Sequence, residues 1–313
     1  MPRICFLTDS ELSDRHDNAL RIPRAFSRAG WDVSIGLHEQ VGLAPTGVGI
    51  LRGKEWTRLS DFDQIWPMGL GPRPSFLDRM QILSLLPSQL FVNAPEALLL
   101  LHGKYHTSWG PLAAHQPETF ASNNAAWLEQ VIRSQPSVDW IIKPPAGSFG
   151  MGVHRTHASD PQLKDLLQHA TLKDDTRYCL LQHYQPEFAR GEKRVMLANG
   201  TILGTYLRSP QSVSPSSESS QVTCTGEIRL NNLSAGGDAQ AVNLTRHERK
   251  LVTEVSAYLA QHACHFAAVD LCYPYIVEIN VANPGGLETL EHLYGEDFAR
   301  AIPGALLPLL SLC

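Results

Sequence analysis

Asp270, Glu278 and Asn280 are the residues of this chain whose types and spacing best suit a hard cation. Ala268–Cys272 and Ile276–Asn280 are predicted as consecutive strands, with Tyr273-Pro274-Tyr275 as a three-residue connection. In that register Asp270 lies directly opposite Glu278, with Cβ atoms roughly 5 Å apart on one face. Asn280, two residues beyond Glu278, shares that face. Opposed like charges destabilise a hairpin unless a cation relieves them. An all-oxygen set suits Mg2+, which completes its octahedron with waters and phosphate oxygens. A hairpin with solvated acids and no metal satisfies the same pattern.

A second set of residues points to an anion. Ile141-Ile142-Lys143 reads as a buried strand that delivers a lysine into Pro144-Pro145-Ala146-Gly147-Ser148-Phe149-Gly150-Met151-Gly152. Glycines let backbone N–H groups wrap an anion, and a nearby lysine adds a point charge. No Gly-Lys-Ser/Thr closes the loop and no GxGxxG opens a helix, so neither standard phosphate fingerprint applies. An ordinary glycine hairpin fits equally. Gly191-Glu192-Lys193-Arg194-Val195 opens a strand whose two basic residues point to opposite faces, so one of them must face any site that the sheet carries. Arg229 with Asn231 and Asn232, before Gly236-Gly237, could bind a carboxylate or phosphate, or form a plain turn. His102 and His106, and His262 with His265, lack full zinc ligand sets. No Gly-x-Ser-x-Gly or HExxH marks a hydrolase.

The elements that must position these residues read as α/β. With 313 residues, 43% hydrophobic and 18% charged, the chain suits two or three domains of a globular enzyme. A net charge of −5 gives no reason to expect nucleic acid or an anionic membrane as partner. No apolar run approaches the ~20 residues of a bilayer span. The N-terminus meets an acid too early for a signal peptide. Six cysteines without CxxC spacing are expected as reduced thiols of a cytoplasmic protein. Strands are predicted at Ile4–Leu7, Trp31–Ile35 and Phe62–Trp66, with a short apolar run at Phe91–Asn93 and helices at Pro23–Ala29, Asp78–Leu86 and 95–103. Further helices are expected at 124–135, Thr245–Gln261, Leu287–Leu293 and Asp297–Leu310, and strands at Tyr178–His183, Lys193–Ala198 and Ile202–Leu207. The serine-rich stretch 209–226 reads as a loop.

Together these segments resemble the ATP-grasp superfamily, and within it the bacterial glutathione synthetases. The resemblance runs through Asn93-Ala94-Pro95, Lys104, Pro117-Glu118-Thr119 and Ile142-Lys143-Pro144 with its glycine loop. It continues through Thr176–Cys179, Gln182-His183-Tyr184, Gly191–Val195, Arg229 to Gly237, Asp270 and Glu278–Val281, in order over nearly the whole chain. It implies an N-terminal doubly wound α/β domain (1–103), then a two-lobed ATP-grasp fold: a lid (104–185) and a catalytic domain with the metal site (186–313). It implies that Lys104 and Lys143 hold ATP phosphates under a lid containing Gly147, Ser148, Gly150 and Gly152. Gln182, His183 and Tyr184 would contact adenine, and Glu192 the ribose. Asp270, Glu278 and Asn280 would bind Mg2+ or Mn2+, and Arg194 and Arg229 would steady the transferred phosphate and the acyl intermediate. Arg208, Asn231, Asn283, Gly285 and Gly286 fall where substrates are received.

The chemistry so implied is an ADP-forming ligation. ATP turns a carboxylate into an acyl phosphate, an amine attacks, and cations neutralise the developing oxyanion. Positioning and exclusion of water dominate, with little acid–base work. γ-Glutamylcysteine and glycine are the leading expectation as substrates, with a homo-oligomer as the assembly. The turn Val281-Ala282-Asn283-Pro284-Gly285-Gly286-Leu287 and the segment Gly69–Asp78 depart from the family's patterns where substrates are recognised. A ligase for another acid and amine, such as one adding glutamate to a protein tail, therefore stays open. A non-catalytic nucleotide-binding regulator is a third reading, against which the retention of Lys143, Arg194, Asp270, Glu278 and Asn280 argues.

Overall fold

An apolar run with every residue from Ile4 to Thr8 buried, the strand Arg3–Thr8, is the centre of the first layer in the computed structural model. That structure describes residues 1–9, 17–146, 151–209 and 238–312. Gly147, Ser148, Gly150, Cys224, Arg229, Asn231 and the serine-rich stretch beyond Ser209 lie outside the described residues. Arg3–Thr8 pairs in parallel with Asp32–Leu37 on one side and Gln64–Pro67 on the other. Phe91 extends this sheet by a single parallel bridge to Ile65. Between the first two strands runs the helix Asp17–Arg28. It starts earlier than expected, since Pro23 sits inside it and not at its first turn. Three short strands at 41–58 form a separate antiparallel sheet that periodicity did not reveal.

A four-stranded antiparallel sheet follows, in the order Thr119–Ser122, Cys179–His183, Trp140–Lys143 and His154–Thr156. The helices Ala125–Ser134 and Leu163–Thr171 cover it, and Leu128, Ile132, Trp140, Ile142, Leu163, Leu167 and Leu181 close a core of their own. The largest sheet has five antiparallel strands, in the order Asp238–Ala241, Thr201–Ser209, Glu192–Ala198, Phe266–Cys272 and Tyr275–Asn280. Against it packs the helix Arg246–Gln261, whose start is capped reciprocally by Thr245 and Glu248. Leu251, Val252 and Val255 enter a core shared with Leu7, Ile65 and Phe91 of the first layer. On the other side Trp66 meets Phe266 edge to face, 5.0 Å between ring centroids. Such pairs add about 0.5–1.5 kcal/mol beyond the area they bury.

The C-terminal helix expected at Asp297–Leu310 is three pieces: 3-10 turns at Phe298–Arg300 and Leu307–Leu312 flank an α-helix at Ala301–Leu306. Pro308 lacks the N–H that would continue the α-helical ladder. Cys5, Cys179 and Cys264 are buried free thiols and Cys272 is a half-buried one. Burial pushes Cys5 and Cys264 up to about 12, far from a reactive range. Among the described residues no helix is long and apolar enough to cross a membrane.

Candidate active site

The antiparallel register lines up Tyr206, Arg194, Asp270 and Glu278 as one row across four strands of the large sheet. Directly opposed residues share a face, so the row is a continuous polar track. The expected pairing of Asp270 with Glu278 is present, by a different route. The connection is the two residues Tyr273 and Pro274, because Cys272 pairs with Tyr275. A bulge at Val277 then restores the register, so Asp270 still faces Glu278. Asn280 lies on the same face and donates Nδ2–H to Asp270 Oδ2 at 3.2 Å.

Each carboxylate of this row has its own cation. Lys104 Nζ meets Glu278 Oε1 at 2.7 Å. Arg194 grips Asp270 bidentately, Nε to Oδ1 at 2.8 Å and an Nη to Oδ2 at 2.7 Å. Arg208 adds a contact to Oδ2 at 2.7 Å and another to Glu192 at 2.6 Å. The alternation that left Lys193 and Arg194 open resolves cleanly: Lys193 turns to the opposite face and bonds Glu248 at 2.9 Å. Asp270 is almost wholly buried, at 1% exposure. Burial alone would raise its pKa, but the two guanidiniums outweigh that and hold it below the usual carboxylate range. Burial opposes the charge of Arg194, and Asp270 more than restores it, raising that pKa. Glu192 is pushed up to about 7, chiefly by burial and against the pull of Arg208.

Lys143 reaches this cluster from the four-stranded sheet. Its Nζ donates to Gln182 Oε1 at 2.8 Å. Burial draws its pKa down to about 8, with Lys104 adding to the fall and Glu278 and Glu192 opposing it. The Lys104 backbone N–H bonds Pro145 O at 2.9 Å, so both lysines stand at the seam between the sheets. Gln182 is locked by Thr119 and Gln116, and Gln116 also bonds the Ile276 carbonyl of the hairpin. Thr119 belongs to a segment that carries the family resemblance, whereas Gln116 carries no sequence signal. His183 faces the other way, edge-on to Trp140 and bonded to Gln135 at 3.1 Å. Arg155 stacks over the Tyr184 ring at 4.1 Å. The His183 ring therefore does not point with Gln182 toward Lys143. Gly152, at φ +73°, turns the chain beside Pro144.

The substrate-turn residues are held tightly. Arg194 donates to Gly285 O at 3.0 Å, while Asn18 bonds Asn283 Oδ1 and Pro284 O. Gly286 has φ +138°, and a Cβ there would lie 2.8 Å from the Tyr206 hydroxyl. Beneath the hairpin, fully buried Asn93 donates to Phe266 O and Val281 O and accepts from the N–H groups of His265 and Phe266, all at 2.7–2.9 Å.

Asp270, Glu278 and Asn280 form an all-oxygen donor set for a hard divalent cation. Side-chain cations already balance both acids, so charge relief alone does not require a metal. The set fits one nonetheless, because a carboxylate has about four acceptor positions and Asp270 Oδ1 makes a single contact, to Arg194. Lys104, Lys143, Arg194 and Arg208 lie within the same seam, where a phosphate chain would meet them. Cations from two sheets converging on a polyanion, beside carboxylates that suit its metal, can stabilise phosphoryl transfer.

The family model for the prokaryotic glutathione synthetase ATP-grasp domain matches residues 107–295. Glutathione synthetase of Escherichia coli is 29% identical over 219 residues, which cover 70% of this chain and 62% of that protein. That of Thermosynechococcus vestitus is 24% identical over 251 residues, or 79% and 73%. That of Prochlorococcus marinus is 29% identical over 177 residues, or 56% and 53%. The chain thus spans between about half and three quarters of the length of these relatives. Among solved structures, a D-cycloserine synthetase superposes with TM-score 0.69 at 17% identity, covering 98% of this chain and 99% of that one. A macrocyclase of Microcystis aeruginosa, bound with its precursor peptide, gives 0.66 at 15%, with the same coverage. At such identity these two show a common fold. The fold is therefore ATP-grasp, and the chain belongs to the prokaryotic glutathione synthetase ATP-grasp family.

Proposed function

We propose that the protein is an ADP-forming carboxylate–amine ligase that works through an acyl phosphate and makes glutathione from γ-glutamylcysteine and glycine. The observation that carries this reading is the convergence of Lys104, Lys143, Arg194 and Arg208 on the Asp270–Glu278–Asn280 row in a chain of this family. Lys104 and Lys143 hold the ATP phosphates. Arg194 and Arg208 stabilise charge on the transferred phosphoryl group and on the oxyanion of the acyl intermediate. Asp270, Glu278 and Asn280 would hold Mg2+ or Mn2+, which when bound would supply Lewis-acid chemistry to the phosphates. The turn Asn283–Gly286 receives the amine. Gly147, Ser148, Gly150, Arg229 and Asn231 keep the roles that the family resemblance implies. Gln182 and the chain at His183-Tyr184 border adenine, and Glu192 the ribose. The three-part division at about residues 103 and 185 also stands as a proposal, supported by the separate core of the four-stranded sheet. The protein acts on small molecules as a cytoplasmic homo-oligomer.

The test is release of ADP and phosphate from ATP and Mg2+ with γ-glutamylcysteine, with and without glycine, and product identification by mass. Glycine-dependent release that yields glutathione supports the reading. Glu278→Gln should lower turnover at least about a hundredfold, the scale on which loss of one aimed electrostatic group acts; unchanged turnover would remove Glu278 from the chemistry. One observation favours a second reading with other substrates. A D-cycloserine synthetase and a macrocyclase bound with its precursor peptide superpose over 98% of this chain. ATP turnover that requires a different acid and amine would select it.

A further inference from the structure

Two amide side chains join Lys143 to the hairpin that carries Glu278. Lys143 Nζ donates to Gln182 Oε1 at 2.8 Å, Gln182 Nε2 donates to Gln116 Oε1 at 3.2 Å, and Gln116 Nε2 donates to Ile276 O at 2.6 Å. The direction of this chain is forced at both ends. A lysine ammonium can only donate and a backbone carbonyl can only accept. Each amide must therefore turn its oxygen toward Lys143 and its NH2 toward the hairpin. Thr119 fixes the middle: its hydroxyl donates to Pro117 O at 2.7 Å and so accepts from Gln182 Nε2 at 2.8 Å. Both amide dipoles point their negative ends at the ammonium, and hydrogen bonds aligned in this way polarise one another.

Gln116 is the link that crosses the seam. It lies between the 3-10 turn Ala113–His115 and the strand Thr119–Ser122, on the run of chain that enters the four-stranded sheet. Ile276, its acceptor, lies two residues before Glu278 on the outer strand of the large sheet. His115 ties the same run to the large sheet without reaching Lys143: Nδ1 meets Pro274 O and Nε2 meets Glu254, each at 3.2 Å. The two lysines of the seam are thus held in different ways. Lys104 has a carboxylate partner, Glu278. Among the described residues the ammonium of Lys143 has Gln182 as its single hydrogen-bond partner. An amide oxygen fixes an ammonium in place without cancelling its charge, so the full charge is left for an incoming anion.

We propose that Gln116 is a positioning residue, which through Gln182 sets the place of the Lys143 ammonium over the Glu278 hairpin and thereby the affinity for the ATP phosphates. The proposal rests on the reading of Lys143 as a phosphate-holding residue. The test is titration calorimetry of the full chain with ATP and Mg2+, acid and amine withheld, on Gln116→Met, Lys143→Met, the double variant and His115→Ala. Gln116→Met keeps the length of the side chain and removes both hydrogen bonds. It should weaken ATP binding about tenfold, the scale of a hydrogen bond to a charged group. If Gln116 acts through Lys143, the double variant should bind ATP within about twofold of Lys143→Met alone. His115→Ala should stay within about twofold of the wild type, since it loosens the same run of chain and leaves the amide chain whole. Gln116→Ala, which cuts the same two bonds, replaces the methionine variant should that one not fold. Unchanged affinity in the Gln116 variant overturns the assignment. So do losses that add in the double variant, or a loss in His115→Ala equal to that in Gln116→Met. If Lys143→Met itself binds ATP as the wild type does, the phosphate-holding reading of Lys143 falls and takes the role of Gln116 with it.

Discussion

Asp270→Asn tests the electrostatic centre of the molecule. The side chain is 1% exposed, and its two oxygens accept from Arg194 twice, from Arg208 and from Asn280. Asparagine keeps the shape and removes the charge. Its amide oxygen can still accept, but its NH2 must face a guanidinium. Arg208 retains Glu192 at 2.6 Å. Beyond that amide oxygen Arg194 keeps the neutral Gly285 carbonyl, at 3.0 Å and with 13% of its side chain exposed, and no longer has a carboxylate as hydrogen-bond partner. Leaving one such charge uncompensated costs about 3–5 kcal/mol, or roughly two to four orders of magnitude in the folding equilibrium. Urea unfolding, with hydrogen exchange of amides in 192–198 and 266–280, measures it locally. The double variant Arg194→Met, Asp270→Asn should recover part of the loss, since it removes the orphaned charge. The pH dependence has a defined sign. A carboxyl whose folded pKa is depressed contributes fully above its unfolded value, and the contribution fades as pH falls through the folded one. The variant should therefore lose acid-side slope. A loss below about 1 kcal/mol at pH 7 would refute the view that this cluster is a tightly coupled buried pair.

ATP affinity should weaken as pH rises through about 8, where Lys143 loses its proton, and Lys143→Arg should flatten that dependence in titration calorimetry. The folding contribution of Lys143 runs the opposite way: its lowered pKa makes stability rise between about 8 and the unfolded value, where only the unfolded chain still holds the proton. Gly286→Ala should cut turnover and lower the melting midpoint, because a Cβ at φ +138° meets the Tyr206 hydroxyl at 2.8 Å; normal kinetics would show that the turn relaxes freely. Asn93→Ala leaves the Phe266 N–H, Phe266 O and Val281 O without their amide partner, while the His265 N–H keeps the Val92 carbonyl at 3.0 Å. It should cost about 2–4 kcal/mol in denaturant unfolding, several unsatisfied buried groups at about 1 kcal/mol or more each.

The sequence exposed what is periodic and local. Asp270 and Glu278 could be paired because side chains alternate and the connection is short. The inferred loop was one residue too long, and the bulge at Val277 cancelled that error. Lys143 was visible because a buried strand rarely ends in a charge without a use for it. What remained hidden depends on contacts between distant segments. Nothing near Arg208 indicates that its partners are Glu192 and Asp270, since that follows from a five-stranded register. The hold of Asn18 on Asn283 and Pro284 spans some 265 positions. The small sheet at 41–58 was missed because its strands have four to six residues and two of the three contain glycine. The inward turn of His183 to Trp140 shows the limit of reading a motif as a unit: neighbours in a strand face opposite ways, so Gln182 and His183 cannot both face Lys143.

The four hydrogen bonds of Asn93 have a mechanical meaning. They clamp the hairpin at both ends, at Phe266 where it begins and at Val281 where it finishes, and they join it to the end of the first layer. With Trp66 wedged against Phe266, the first layer and the large sheet form a single anvil that carries the acidic row. The four-stranded sheet keeps its own core, and its described hydrogen bonds to the anvil are few, among them Lys104 N–H to Pro145 O. Any stroke that opens and closes the seam therefore falls to that sheet, as a hammer with Lys143 on its face. In such a stroke the clamped carboxylates would stay with the first layer and Lys143 would move with its sheet.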